Sequence, residues 1–116
     1  MPRVKRGPRG ARRRKSILKR TKGYRGAKSK LLRTAMEAMD KSDLYAYRHR
    51  KTKKREFRAL WNTRIGAAAK LHGTSYSKLM AALKKNGIAL NRKILAELAV
   101  SHPKDFEEII KVATAS

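Results

Sequence analysis

The stretch AYRHRKTKKREFRALW, residues 46–61, decides how this chain is read. Seven Lys or Arg lie between Ala46 and Trp61, and Phe57, Leu60 and Trp61 close the stretch. Continued downstream, Phe57, Leu60, Trp61, Ile65, Ala68 and Ala69 recur at helical spacing, which predicts an amphipathic helix. His72 and Gly73 end it. A protein core would leave the cations buried and unpaired, at a large desolvation cost. The spacing therefore predicts one helix with two environments. From Phe57 onward it enters a small core, and from Arg48 to Arg58 it faces an anionic partner, with Tyr47 covering the junction.

Downstream, Tyr76, Leu79, Met80 and Leu83 form one helical face, with Thr74 or Ser75 as N-cap and Lys84, Lys85 and Gly87 as a basic last turn with a glycine stop. Ile94, Leu95, Leu98 and Ala99 give another stripe after Asn91. Phe106, Ile109, Ile110 and Ala113 give a third, opening at Pro103 with Asp105, Glu107 and Glu108 in its favourable first turn. These elements suffice for a core of workable but marginal size. No alternating pattern of a β-strand competes.

Upstream, Pro2, Gly7, Pro8 and Gly10 predict an irregular start, and Gly23-Tyr24-Arg25-Gly26 predicts a break. Leu31, Leu32, Ala35, Met36 and Met39 share a helical face, but Leu44 and Tyr47 fall out of phase with it. A kink or break is therefore expected at residues 39–42, with Asp40 or Ser42 as a cap. The expected fold is all-α. A long basic, partly irregular helical N-terminal arm spans 1–58, with helical segments near 11–22, 27–39 and 42–58, the last continuing into a small four-helix globular domain at 59–116.

Charge follows the same division. Residues 1–58 carry 23 Lys or Arg against four acids, a formal +19, and residues 59–116 carry nine against four, a formal +5 of the total +24. Self-repulsion at this level disfavours a compact arm until a polyanion neutralises it, and the arm holds too little apolar surface to offset its ordering entropy. Lys and Arg on phosphates release counterions and give salt-sensitive affinity. The expected RNA contacts begin with Arg3, Lys5, Arg6, Arg9, Arg12, Arg13, Arg14, Lys15, Lys19, Arg20 and Lys22. They continue with Arg25, Lys28, Lys30 and Arg33, then Arg48, Arg50, Lys51, Lys53, Lys54, Arg55 and Arg58. Lys84, Lys85, Arg92 and Lys93 flank one interhelical turn as a second patch. Tyr24 is free of any apolar stripe, so stacking on an unpaired base and packing within the protein stay open; Trp61 is in phase with the core stripe and belongs to it.

Other classes find little support. The chain has no cysteine, which removes disulfides and thiolate metal sites. His49, His72 and His102 have no partner at a catalytic or metal-binding spacing, and no phosphate-cradling glycine loop occurs, so neither enzyme, metal nor cofactor is expected. No apolar run of about 18 residues predicts a membrane span, no secretory signal opens the chain, and no homo-oligomer is indicated. One rival is a DNA-binding helix-turn-helix regulator with a basic tail, using residues 75–86 and 91–100; the continuation ILAELAV is too apolar for reading bases. A membrane-active cationic arm is weaker still, its stripe being narrow and poor in aromatics.

Taken together, Tyr45-Ala46-Tyr47-Arg48, Arg55 to Trp61 with Arg64-Ile65, Tyr76-Ser77, and Asn91-Arg92-Lys93 followed by Leu95-Ala96 resemble the bacterial family of large-subunit ribosomal proteins numbered twenty. The likeness covers nearly the whole chain. It implies a non-catalytic scaffold whose helical arm threads between segments of large-subunit ribosomal RNA and whose small domain lies on the outer side of the subunit. It implies early action in subunit assembly, a neighbour in the ribosomal protein numbered twenty-one, cytoplasmic placement in the ribosome, and in some members repression of the protein's own messenger RNA. Bacterial and organellar ribosomes fit the likeness alike. The chain departs from the family pattern at Asn62, at Gly66 and at His102, which precedes Pro103 where a better-capping Asp is common.

Overall fold

The computed structural model describes residues 2–5 and 7–115. Arg6 lies outside the described residues. The elements are α1 (Arg9–Arg20), a 3₁₀ turn (Gly26–Ser29), α2 (Leu32–Leu71), α3 (Tyr76–Lys85), α4 (Arg92–Ser101) and α5 (Pro103–Thr114). The fold is all-α. The chain forms two compact units, one up to Lys51 and one from Thr52 on.

The expected break at residues 39–42 does not occur, because α2 runs for 40 residues without interruption. Met39, Asp40, Lys41 and Ser42 include neither Gly nor Pro, so nothing in the backbone forces a stop. The change of apolar phase has another cause. Leu44 is 41% exposed and Tyr47 54% exposed, so neither continues a buried stripe. Two apolar faces on one helix need a common phase only if both bury against the same partner.

The N-terminal unit is thinly packed. Its buried side chains among the described residues are Ile17, Thr21 and Ala35. The Thr21 hydroxyl donates back to the Ile17 and Leu18 carbonyls, satisfying one buried polar group at the C-terminus of α1. Arg20 grips Asp43 through two bonds of 2.6 and 2.8 Å from one guanidinium nitrogen, tying the end of α1 to α2.

The unit from Thr52 on has a true core. Ile65, Ala68 and Ala69 of α2, Leu79 and Leu83 of α3, Leu95 and Ala96 of α4, and Phe106, Ile110 and Ala113 of α5 are buried together. Trp61, Tyr76, Met80, Leu98, Ala99 and Ile109 pack against them. The α2 stripe therefore enters the core at Trp61, one turn later than expected. Phe57 and Leu60 remain 45% and 41% exposed, Phe57 leaning on Trp61 with ring centroids 6.4 Å apart. The α4 face is also rotated by one residue, since Ala96 is buried while Ile94 is 44% exposed. The small Ala96 falls outside the expected stripe because its bulkier neighbours dominate the apolar pattern.

Caps fix where these helices start and stop. The Ser75 and Asn91 side chains accept from the Lys78 and Ile94 amides at the N-termini of α3 and α4. At the end of α2, the Gly73 amide bonds the Lys70 carbonyl and the Thr74 amide the Ala69 carbonyl. At the end of α3, Gly87 bonds Lys84 and Ile88 bonds Leu83 in the same way. This paired closure requires the positive φ that Gly73 and Gly87 adopt, 73° and 65°. The Asn86 amide reaches across to the Ala113 carbonyl at 2.8 Å, joining the end of α3 to that of α5. His102 gives α5 no side-chain cap, and of the three acids expected in its first turn only Asp105 lies there, since Glu107 and Glu108 come after the first turn from Pro103 has closed.

On α5, Glu107 and Lys111 pair at 2.6 Å across one turn. The hydrogen bond and charge of Lys111 lower the Glu107 pKa from 4.5, and Glu107 in turn raises that of Lys111. The Glu107 share of stability is therefore present above pH 4.5 and lost as pH falls through the lowered value. The pair is solvent-exposed, so the effect on the fold is small.

Gly66 sits in the interior of α2, where glycine is unfavourable. A Cβ at this position would meet only the Tyr76 Cβ, at an ordinary 3.8 Å. Gly66→Ala is expected to stabilise the chain by about 0.5–1 kcal/mol, checked as a rise of several degrees in Tm by calorimetry.

Candidate nucleic-acid interface

The interface is built from cations that the fold leaves outside. Arg3 and Lys5 lie exposed ahead of α1, outside any helix. Arg9, Arg12, Arg13, Arg14, Lys15 and Lys19 are exposed on α1, which opens without an acid in its first turn. Cations at a helix N-terminus oppose the macrodipole, so α1 gains from an anion supplied from outside. Arg14, Lys15, Lys19 and Lys22 also line a shallow cleft over Ala11 and Leu18.

Lys22, Arg25, Lys28 and Lys30 are exposed on the segment joining α1 to α2, and Arg33 on the first turn of α2. Arg20 differs from the rest. Its guanidinium is held by Asp43, so its first effect is to position α1 on α2. The sequence offered a clue in Asp43, one of four acids in residues 1–58, but a pairing across 23 residues leaves no local pattern.

On α2, every residue from Lys41 to Lys51 and from Lys53 to Leu60 is exposed. Arg48, Arg50, Lys51, Lys53, Lys54, Arg55 and Arg58 stand in this stretch. At about 100° per residue these seven cations cover an arc of roughly 220° around the helix. A flat anionic surface would engage only a part of that arc, whereas polyanion segments on more than one side would engage it all. Aromatic rings are interleaved with the cations. Lys51 donates to the Tyr47 hydroxyl at 3.1 Å and stands 4.6 Å from the ring centroid, with Arg50 at 5.9 Å. Lys53 lies 5.9 Å from the Phe57 ring. These contacts hold the long side chains extended along the helix surface.

The second patch is more ordered than a group of helix-end cations. Arg92 donates its Nε–H to the Tyr76 hydroxyl at 2.9 Å, and that hydroxyl donates to Asn62 Oδ1 at 2.9 Å. The chain Arg92–Tyr76–Asn62 links α4, α3 and α2 and leaves the terminal guanidinium nitrogens of Arg92 for a ligand. Lys93 is exposed beside it, and Lys84 and Lys85 are exposed at the end of α3. Asn62 and Tyr76 lie outside the expected site, and nothing in the polar run Asn62-Thr63-Arg64 singles out Asn62 as the partner of Tyr76.

The family model for Ribosomal protein L20 matches residues 3–109. The chain belongs to this family. It is 60% identical over 113 residues to the large ribosomal subunit protein bL20 of Geobacter metallireducens, covering 97% of each chain. It is 58% identical to the protein of the same name from Geobacter sulfurreducens, covering 99% of this chain and 98% of that one. The protein of that name from Geotalea daltonii is 55% identical, with 100% and 99% covered. L20 proteins are structural and non-enzymatic, in keeping with a site made of cations and rings. The helix-turn-helix alternative gains little from α4, where Lys93 is exposed at the first turn but Ile94, Glu97 and Val100 follow it on the exposed side with apolar and acidic groups where base readout needs donors and cations. No described helix is long and apolar enough to cross a membrane.

Proposed function

We propose that the chain is a structural constituent of the large ribosomal subunit in the cytoplasm, that it binds large-subunit ribosomal RNA directly, and that it acts early in assembly of the subunit. One observation carries the reading: a continuous helix whose residues 41–60 are exposed, except the half-buried Thr52, and hold eight Lys or Arg against two acids. Such a helix stays underneutralised until phosphates flank it. The arm's cations neutralise and position, while the second patch, with Arg92 oriented by Tyr76, selects the RNA fold. Early action follows from the same physics, because an arm that lies between RNA segments has to be in place before they close.

Two finer roles rest on the family likeness. Contact with the ribosomal protein numbered twenty-one fits the exposed Phe57 and Leu60 beside Trp61. Repression of the chain's own messenger RNA is the role that the departures at Asn62, Gly66 and His102 weaken most, and what supports it is that Arg92 is oriented through Tyr76, with Asn62 as the last acceptor.

Binding of the full chain to a large-subunit ribosomal RNA fragment and to a length-matched duplex DNA, titrated with salt, tests the reading. The expected result is a steep salt dependence on both and tighter binding to the RNA at every salt concentration. Equal affinities would reduce the chain to a general polyanion binder.

A further inference from the structure

We propose that the cleft between Tyr24 and the Tyr45–His49 pair of the N-terminal unit receives a single unpaired RNA base. The inference rests on the RNA-binding reading above and adds a structural preference to the arm, which phosphate contacts alone do not supply. The cleft holds about 480 Å³, and the small residues Ala38 and Ala46 are part of its lining. Its walls are aromatic. Tyr45 and His49 stack with centroids 5.6 Å apart and planes 14° apart, so two near-parallel rings border the cleft. Tyr24 faces the same space from the loop between α1 and the 3₁₀ turn.

That loop is preset. Gly23 and Gly26 adopt φ of 90° and 67°, and the Tyr24 amide bonds the Thr21 carbonyl at 3.1 Å, so Tyr24 is presented without a conformational search. Lys28 and Lys41 stand at the cleft, with the Lys41 ammonium 5.2 Å from the Tyr45 ring centroid. Charge and shape together specify the occupant. Flat apolar walls suit a base, and two cations suit the phosphates on either side of the same nucleotide. Lys41 moves from the ring to a phosphate as the base enters. A base inside a duplex has both faces covered by its neighbours, so only a bulged or looped-out nucleotide presents the surface the cleft requires.

The test uses the full chain and two RNA hairpins with one stem sequence, one of which carries a single bulged 2-aminopurine. Stacking predicts roughly 5- to 150-fold tighter binding of the bulged hairpin and a loss of 2-aminopurine fluorescence on binding. Tyr45→Leu is expected to bring the two hairpins within about twofold and to abolish the fluorescence loss, leaving affinity for the plain hairpin unchanged. Tyr45→Phe keeps the ring and the preference. Helicity by circular dichroism confirms that both variants fold, since leucine is a strong helix former. Equal affinity of the unsubstituted chain for the two hairpins overturns the proposal, as does a preference that survives Tyr45→Leu. Failure to hold either hairpin more tightly than a DNA duplex of the same charge overturns the RNA reading beneath it.

Discussion

Replacing Arg50, Lys51, Lys53 and Lys54 together by glutamine lowers affinity for a large-subunit ribosomal RNA fragment by about three orders of magnitude at 0.1 M salt. The magnitude follows from counterion release. Each phosphate contact contributes close to one unit to the slope of log affinity against log salt, so four lost contacts flatten the slope by about 3 to 4. The affinities of the parent and the variant therefore converge near 1 M salt and separate by about 0.7 to 0.9 decade per contact, about three decades in all, on dilution to 0.1 M. Glutamine is nearly as good a helix former as lysine, so α2 should persist. All four positions are exposed, which leaves the core untouched. Filter binding across a salt series measures both quantities, and an unchanged slope would remove the exposed stretch of α2 from the interface.

Phe106→Ala has the second large effect, on stability. Phe106 is fully buried at the centre of the only large core among the described residues, and the His72 ring at the end of α2 lies 6.3 Å from it. Truncating such a residue costs about 3–5 kcal/mol. A core of this size supplies about the same total. The unit from Thr52 on is therefore expected to lose its cooperative thermal transition at 37 °C, seen by calorimetry. The arm's cations remain, so salt-dependent binding persists while preference for the RNA fragment over duplex DNA disappears. Retained preference would shift recognition away from the second patch.

The contrast between these variants mirrors what could be read from the chain. Wherever one element's own residues set the outcome, sequence was enough: Ser75 caps, Gly73 and Gly87 close, and Leu79 and Leu83 face inward. Where a neighbour set the outcome, it was not. Phe57 and Leu60 match the helical stripe but lie one turn beyond the reach of α3 to α5 and stay exposed. Leu44 and Tyr47 suggested a break because the apolar pattern changed phase, while the backbone had no reason to bend. Of the site, the cations were evident from composition. The groups that orient them were not, because Asp43 meets Arg20 across 23 residues and Asn62 reaches Arg92 only through Tyr76.

The exposed length of α2 also bears on how long an unassembled copy survives. Eight Lys or Arg between residues 41 and 60 are eight bonds of the kind that trypsin-like proteases cleave. A helix with no core behind it opens readily, and cleavage tracks the opened fraction. Ribosomal RNA would shield the same bonds. Copies made in excess of RNA are thus the ones exposed to degradation, which ties the abundance of the protein to the supply of its binding site.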